Sequence, residues 1–292
     1  MSITLLRTLI AISEHGSFNA AAKAVNLTQA AVGQQMKRLE SQLDVSLFDR
    51  GSGAPQLTPL ALSLLPKARE LVLDYESLLD GLTGDTRLEG EFSLGAVPST
   101  IRAMVPLCLK RLRIRAPQLH IRIVPGLSAD MHEQVERGGV HAAILSEPPL
   151  LGASLHWQPF AIEPLILLVA ADLPHDEPLT LLQKMPYIRH TRRAAVGLMA
   201  DQWLSDHDVS VQVAMEMESI ESVASMVSHN LGVSIVPDMC VPDVIFAGLR
   251  KLPLPPPRQD RKLGLLSRAD VRQRLLIDVL FEELCATVSA EQ

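Results

Sequence analysis

Residues 18–48, FNAAAKAVNLTQAAVGQQMKRLESQLDVSLF, decide how the first part of this chain folds. Phe18 to Val25 is rich in alanine, the residue with the highest intrinsic helix propensity. Asn26-Leu27-Thr28 interrupts, and Thr28 is a good N-cap for a second helix over Gln29–Leu43. Two short helices joined by three or four residues form a helix-turn-helix, here about 18–37, whose second helix fits the major groove of DNA. Ala21, Ala22 and Val25 share one face of the first helix, and Val32, Met36, Leu39 and Leu43 share one face of the second. The opposite face of the second helix carries Gln29, Gln34, Gln35, Lys37 and Arg38. Amides of this kind read base edges, and cations hold phosphates. The same periodicity also fits a plain pair of amphipathic helices in a globular core.

Working outward, residues 3–14 place Leu6, Leu9, Ile10 and Ile12 at helical spacing, Gly16 ends that helix, and Ser17 caps the next. On the other side, Leu47-Phe48 is an apolar anchor and Gly51-Ser52-Gly53-Ala54-Pro55 reads as a turn. Thr58-Pro59 is a helix start, cap followed by N1 proline. Ala61, Leu65, Ala68, Val72, Tyr75, Leu79 and Leu82 then repeat at spacings of four and three. That seam suits pairing with a second helix, in another subunit or in this chain's own core, and Pro66 removes one backbone donor from it.

Gly81 to Gly90 reads as a hinge, and from Glu91 the pattern changes class. Strands are expected at 92–97, 120–124 and 142–145, with helices from Pro98 to about Arg115 and from Ala129 to Arg137 between them. This alternation implies a parallel sheet with right-handed crossovers. The logic repeats with strands at 165–170, 187–188, 211–215 and 233–236 and helices at 197–207 and 219–230. A last strand at 263–266 and a helix at 270–288 return to the first set.

A chain of 292 residues with 47% hydrophobic and 21% charged residues is an ordinary folded protein, long enough for two domains or three smaller units. No secretory signal and no bilayer-length apolar run is visible, and three cysteines are too few and too far apart for a disulfide framework or a zinc site. A soluble cytoplasmic protein without membrane contact is expected. The net charge of −6 argues mildly against nucleic acid as a partner. Residues 1–57 hold five Lys/Arg (7, 23, 37, 38, 50) against four Asp/Glu (14, 40, 44, 49), so tight DNA binding needs two or more copies on one site. No Gly-x-Ser-x-Gly, phosphate loop or Gly-x-Gly-x-x-Gly motif is found, and the nine histidines show no metal-like pairing. No enzyme activity, cofactor or metal is expected.

The run Leu6-Arg7-Thr8, Gly16-Ser17-Phe18, Ala21-Ala22, Thr28-Gln29-Ala30-Ala31-Val32, Gln35, Leu39-Glu40, Leu47-Phe48-Asp49-Arg50, Leu57-Thr58 resembles the N-terminus of the LysR-type transcriptional regulators. Pro117, Gly126 and Leu231-Gly232-Val233-Ser234-Ile235-Val236-Pro237 fit the effector domain of the same family, so the resemblance spans essentially the whole chain. It implies an α/β protein with an all-α winged helix-turn-helix at 1–58 and a linker and dimerisation helix with hinge at 59–90. An effector-binding domain of two Rossmann-like subdomains, similar to type 2 periplasmic solute-binding proteins, then occupies 91–292, with subdomain I at 91–161 plus 268–292 and subdomain II at 162–267. DNA contacts are expected from Thr28, Gln29, Ala30, Gly33, Gln34, Gln35, Lys37, Arg38 and, on the wing, Arg50. Gly33 and Ala30 replace a serine and a proline common in the family.

The resemblance further implies a small-molecule effector held between the subdomains by Ser99, Thr100, Ser128, Arg192, Arg193 and Gly197. His190 and Thr191 lie in the same cleft-facing segment. Hydroxyls at helix starts suit an anionic ligand, although Ser99 and Ser128 also suit plain capping. Cysteines near 199–208, through which one branch of the family senses peroxide, are absent, and Cys108 and Cys285 read as small core residues. The implied partners are double-stranded DNA with dyad symmetry, the effector, a second copy in a homodimer or homotetramer, and RNA polymerase. The competing expectation is a solute-binding or sequestering protein whose N-terminal helices serve assembly only.

Overall fold

In the computed structural model the described residues are 2–49, 56–82, 88–173, 176–271 and 273–291, without the side chains of 70, 73, 74 and 76–82. Arg50 with the turn at 51–55, the seam side chains of Leu79 and Leu82, and most of the 81–90 hinge therefore lie outside the described residues. The chain divides into two compact units, Met1–Thr86 with Arg137–Gly139, and Arg87–Glu136 with Val140–Gln292.

The first unit contains α1 (Ile3–His15), α2 (Phe18–Ala24), α3 (Gln29–Leu43), a short hairpin of β1 (Phe48–Asp49) and β2 (Gln56–Leu57), and α4 (Pro59–Leu82). Its boundaries follow local chemistry. Gly16 closes α1 in the left-handed region (φ 68°), donating its N–H to Ile12 O. The hydroxyls of Ser17 and Thr28 accept from Ala20 N (3.1 Å) and Ala31 N (3.2 Å), capping α2 and α3. Thr58 caps α4, accepting from Ala61 N at 3.2 Å. Glu40 Oε1 accepts from the N–H groups of Leu47 and Phe48 (2.8 and 3.2 Å), tying the hairpin to α3. Leu9, Ile12, Ala21, Val32, Met36 and Leu39 bury into one core with Leu47 and Phe48. The seam on α4 is spent partly inside this unit, because Ala61, Leu65, Ala68 and Val72 are buried in that same core. Among the described side chains of α4, Leu60, Leu62, Leu71 and Tyr75 are large apolar ones left exposed.

The second unit opens with β3 (Gly90–Ala96), α5 (Pro98–Ile101), α6 (Met104–Arg115), β4 (Leu119–Pro125), α7 (Ser128–Glu136) and β5 (Ala142–Ser146). It continues with β6 (Leu155–Ala170), α8 (Pro178–Lys184), β7 (Tyr187–His190), α9 (Ala195–Asp206), β8 (Val213–Met217), α10 (Ile220–Ser228) and β9 (Ser234–Pro237). After β10 (Leu249–Pro253) and β11 (Asp260–Arg268) it closes with α11 (Arg274–Glu291). Strand β3 lies parallel to β4 on one side and to β5 on the other, as the alternation of strands and helices predicts. The sheet is nevertheless mixed, since β11 runs antiparallel to both β5 and β6.

One strand, β6, is shared by both lobes. The first part of β6 pairs with β11, and its last residues, Leu165–Ala170, pair with β9 and β10 in the second lobe. Leu263–Ser267 of β11 pair with Ser146–Ala142, so this strand completes the first lobe, as expected of 263–266, although the subdomain bounds count 162–267 with the second. Strand β6 begins at Leu155, not at the expected Leu165. Pro159 and Pro164 conceal it in the sequence, because proline withholds a ladder donor. Pro159 is tolerated beside an irregularity in register, where Ala161 faces Leu263 and Pro159 faces Gly264, leaving Phe160 as the extra residue. The single helix expected from Pro98 to Arg115 is two, α5 and α6, broken at Arg102–Ala103. Phe92, Leu94, Ile144, Leu145, Leu265 and Leu280 belong to the core of the first lobe. Separate clusters around Trp203 and around Val223 pack on β6 of the second lobe.

His141 is part of the first lobe's pairing. Its Nδ1 accepts from Ser93 N (2.9 Å) and its ring stacks on Phe92 at 5.1 Å. Burial pushes its pKa down to about 4. The neutral ring is therefore the folded form, whereas the unfolded chain takes up a proton near the ordinary histidine value of about 6.5. The stabilisation is complete above that value and is lost as pH falls from 6.5 towards 4, at about 1.4 kcal/mol per pH unit. Urea unfolding at pH 7, 5.5 and 4.5 checks this. His141→Gln should flatten the profile over that interval, and an unchanged slope in the variant would remove His141 as its source.

Candidate functional site

The outer face of α3 is built by its own periodicity. With Val32, Met36 and Leu39 fully inside, the helix presents Gln29, Ala30, Gln34, Lys37 and Arg38 to solvent. Thr28 stands exposed at its start, spending its hydroxyl on the cap. Gly33 is open on its Cα, where an added Cβ meets nothing within 4 Å. Gln35 departs from the expected set: its side-chain amide hydrogen-bonds the Thr8 hydroxyl of α1 at 2.5 Å, so it is half-buried between helices. The exposed surface of α3 thus carries two amides and two cations. That composition suits hydrogen bonding to base edges flanked by phosphate contacts.

A second candidate site lies in the unit 87–292, between its lobes. An inner cavity of about 40 Å³ is lined by Ser99 and Ser128 at the starts of α5 and α7, by Ser146, His190 and Ser219, and by Arg261 at its base. A wider mouth of about 270 Å³ adjoins it, with Asp130, Arg193 and Glu218 on its walls. Glu218 belongs to both.

Arg261 is the least expected residue here. It is 2% exposed and stands opposite Glu163, also 2% exposed, in the β6–β11 register. Its Nη1 donates to Glu163 Oε2 (3.1 Å) and to Ser99 Oγ (3.1 Å), and its Nε donates to Ser146 Oγ (2.9 Å). Glu163 Oε1 accepts from Cys240 N at 3.0 Å. A buried ion pair persists only when its remaining polar atoms are satisfied, and these bonds accomplish that for all but Arg261 Nη2, which is left facing the cavity. His190, 8% exposed at the end of β7, keeps a buried Nδ1 without a hydrogen-bond partner. Burial holds this imidazole below the ordinary histidine range, a direction reinforced by the positive charge of Arg261 and opposed by a hydrogen bond to the Glu218 backbone.

Of the expected effector residues, Ser99 and Ser128 line the inner cavity and Arg193 lines the mouth. Thr100 does not reach it: the side chain is buried and its hydroxyl donates to Val97 O at 2.9 Å. Arg192 is exposed and held by Asp201 Oδ2 at 2.5 Å. Gly197 serves packing, since a Cβ there would lie 2.1 Å from Thr191 O and 2.5 Å from His190 O. Its bare backbone lets α9 rest on the end of β7 and so sets where His190 stands. Arg261, Glu163 and Glu218 escaped the sequence reading. The one signal was a charge inside an otherwise apolar strand, as in Ala161-Ile162-Glu163-Pro164-Leu165, and exposed neighbours such as Asp260 and Lys262 made it ambiguous.

The thiols offer no redox chemistry of the activated kind. Burial pushes Cys108 up to about 12 and raises Cys240 and Cys285 as well, so each stays a protonated thiol near neutrality. Among the described residues no group of three or more His, Cys, Asp or Glu is placed to hold a metal ion, and no helix is long and apolar enough to cross a membrane.

Comparison with known proteins matches residues 3–62 to the bacterial regulatory helix-turn-helix protein, lysR family, and residues 85–288 to the LysR substrate binding domain. An uncharacterized HTH-type transcriptional regulator of Escherichia coli (strain K12), YbhD, is 24% identical over 280 residues, covering 92% of this chain and 86% of that one. A full-length OxyR variant from Pseudomonas aeruginosa superposes with a TM-score of 0.76 at 22% identity, covering 100% of this chain and 98% of that one. Full-length CbnR complexed with its target DNA gives a TM-score of 0.68 at 19% identity, covering 98% and 100%. At such identities the structural likeness speaks for the fold.

Proposed function

The chain belongs to the LysR family of DNA-binding transcriptional regulators, and from that premise we propose which of its residues do the regulating. It is a regulator with a substrate-binding domain, not an enzyme. In this reading residues 1–58 bind DNA, 59–90 link and dimerise, and the two lobes of 91–292 hold a small effector between them.

The observation that carries the DNA reading is the outer face of α3, where Gln34, Lys37 and Arg38 stand exposed opposite a fully buried stripe. Gln29 and Gln34 supply base-reading amides, Lys37 and Arg38 supply phosphate contacts, and Gln35 orients α3 through Thr8. Arg50 extends the contact along the wing. A nearly balanced charge on residues 1–57 makes one copy a weak binder, which favours a dimer reading a dyad-symmetric site. The exposed apolar side chains of α4, Leu60, Leu71 and Tyr75, supply material for that pairing, because the buried seam is already occupied. Effector binding then shifts the population of lobe or subunit arrangements, which RNA polymerase reads out.

The test is nuclease protection of DNA upstream of the protein's own gene, titrated with salt and unrelated competitor. Protection of a dyad-symmetric site that survives competitor supports a sequence-reading regulator. Binding that competitor erases would favour the solute-sequestering alternative. Gln34→Ala should cost specific binding about 1–3 kcal/mol while leaving affinity for random DNA nearly unchanged. An unaltered ratio of specific to random affinity would exclude this amide from base reading.

A further inference from the structure

The hydrogen bonds in the cleft give its two walls different character. On the first lobe and its base, every cavity hydroxyl is already an acceptor. Ser99 Oγ accepts from Arg261 Nη1, Ser146 Oγ from Arg261 Nε, and Ser128 Oγ from Ser146 N at 3.3 Å. A hydroxyl that accepts in this way has its own hydrogen left to give. Arg261 adds a further donor, since its Nη2 has no partner among the described residues although the side chain is 2% exposed and lines the cavity. Ser219, on the second lobe, likewise accepts, from Ser222 N in capping α10.

The second-lobe wall adds acceptors. His190 Nδ1 is buried without a partner, and a neutral imidazole can present a lone pair there. The Glu218 carboxylate, exposed where the inner cavity meets the mouth, has no ion-pair partner among the described residues. The first-lobe wall therefore donates, and the second-lobe wall adds an imidazole nitrogen and a carboxylate.

The charges decide the ligand. Arg261 and Glu163 neutralise each other, Arg193 and Asp130 offset each other at the mouth, and Glu218 is left over. A dicarboxylate would place its second charge against Glu218. A monocarboxylate without a cation would leave the buried His190 Nδ1 unanswered, which is costly, and would leave Glu218 to solvent alone. A molecule with a carboxylate at one end and an ammonium close by answers every group.

We propose that the cleft takes a zwitterionic amino acid. Its carboxylate points to Ser99, Ser128 and Arg261, its ammonium points to His190 Nδ1 and Glu218, and its side chain is small or extends into the mouth. The inner cavity of about 40 Å³ sets that limit on size. This inference rests on the cleft being the effector site.

The experiment uses the full-length protein in thermal-shift and calorimetric titrations with single L-α-amino acids. The amino acid with the largest shift is followed by its α-hydroxy acid, the amine lacking its carboxylate, and succinate. At least one amino acid should shift the Tm saturably, with its hydroxy acid and its amine each binding roughly ten- to a hundredfold more weakly, the size of one charge-assisted hydrogen bond. Glu218→Gln, a change at an exposed position, should weaken the amino acid by a comparable factor and leave the hydroxy acid unaffected. If succinate or a hydroxy acid binds more tightly than every amino acid, and Ser128→Ala abolishes that binding, the zwitterion is overturned while the cleft stands. Amino-acid binding unaltered by both Ser128→Ala and Glu218→Gln lies outside the cleft and overturns the proposal. Silence from every probe overturns the amino acid, while the cleft reading then falls only if Ser128→Ala leaves effector-dependent DNA binding unchanged.

Discussion

Replacing Arg261 with methionine is expected to destabilise the 87–292 unit by about 3–5 kcal/mol, the usual cost of leaving one member of a buried ion pair without the other. Methionine fills much of the same volume, so the loss reports charge and hydrogen bonding more than a cavity. Glu163 would keep the Cys240 N–H on Oε1 but lose its only cation, and Ser99 and Ser146 would lose the donors that orient their hydroxyls. The companion variant removes both charges. Arg261→Met with Glu163→Leu should recover most of the loss, because two apolar residues in place of a buried pair are often neutral. Urea unfolding of wild type, both single variants and the double completes the cycle. If Arg261→Met costs less than about 1 kcal/mol, the pair is not as enclosed as its burial implies.

Gly197→Ala is expected to be the second large effect. On an open helix the change would stabilise by roughly 0.5–1 kcal/mol, since alanine is the better helix former. Here the new Cβ would stand 2.1 Å from Thr191 O and 2.5 Å from His190 O, both backbone atoms that cannot swing aside. Helix α9 must withdraw from the end of β7, and the expected net cost is about 3 kcal/mol, the upper end of the overpacking range. Because His190 sits on that strand end, the variant should also weaken whatever ligand the cleft binds. A neutral or stabilising result in thermal denaturation would show that α9 does not rest on β7 as described.

These two residues show different limits of reading a chain. Gly197 was legible as important: a glycine following His190-Thr191-Arg192-Arg193 invites a role at the cleft. Its role was misassigned, because a close approach of two backbones leaves the same mark in a sequence as a close approach of a ligand. Arg261 was not legible at all. Its partner Glu163 is 98 residues away, and each sits beside other charges in its own strand. Nothing local distinguishes a charge that turns inward from one that stays in solvent.

Local chemistry alone decided the helix-turn-helix. Gly16, Ser17, Thr28 and Thr58 act on amides within four residues of themselves, and the spacing of Val32, Met36 and Leu39 states which face of α3 is buried. Such effects need no knowledge of the rest of the chain. The alternation of strands and helices after Glu91 likewise announced a two-lobed α/β domain. Only the tertiary structure decided that β6 runs through both lobes, that β11 joins it to β5, and that Gln35 is spent on Thr8. It alone placed a buried arginine at the base of the cleft and opposed it with an imidazole and a carboxylate. Pairing across a sheet is governed by which distant residues meet, and the energy of a buried charge depends on every group around it.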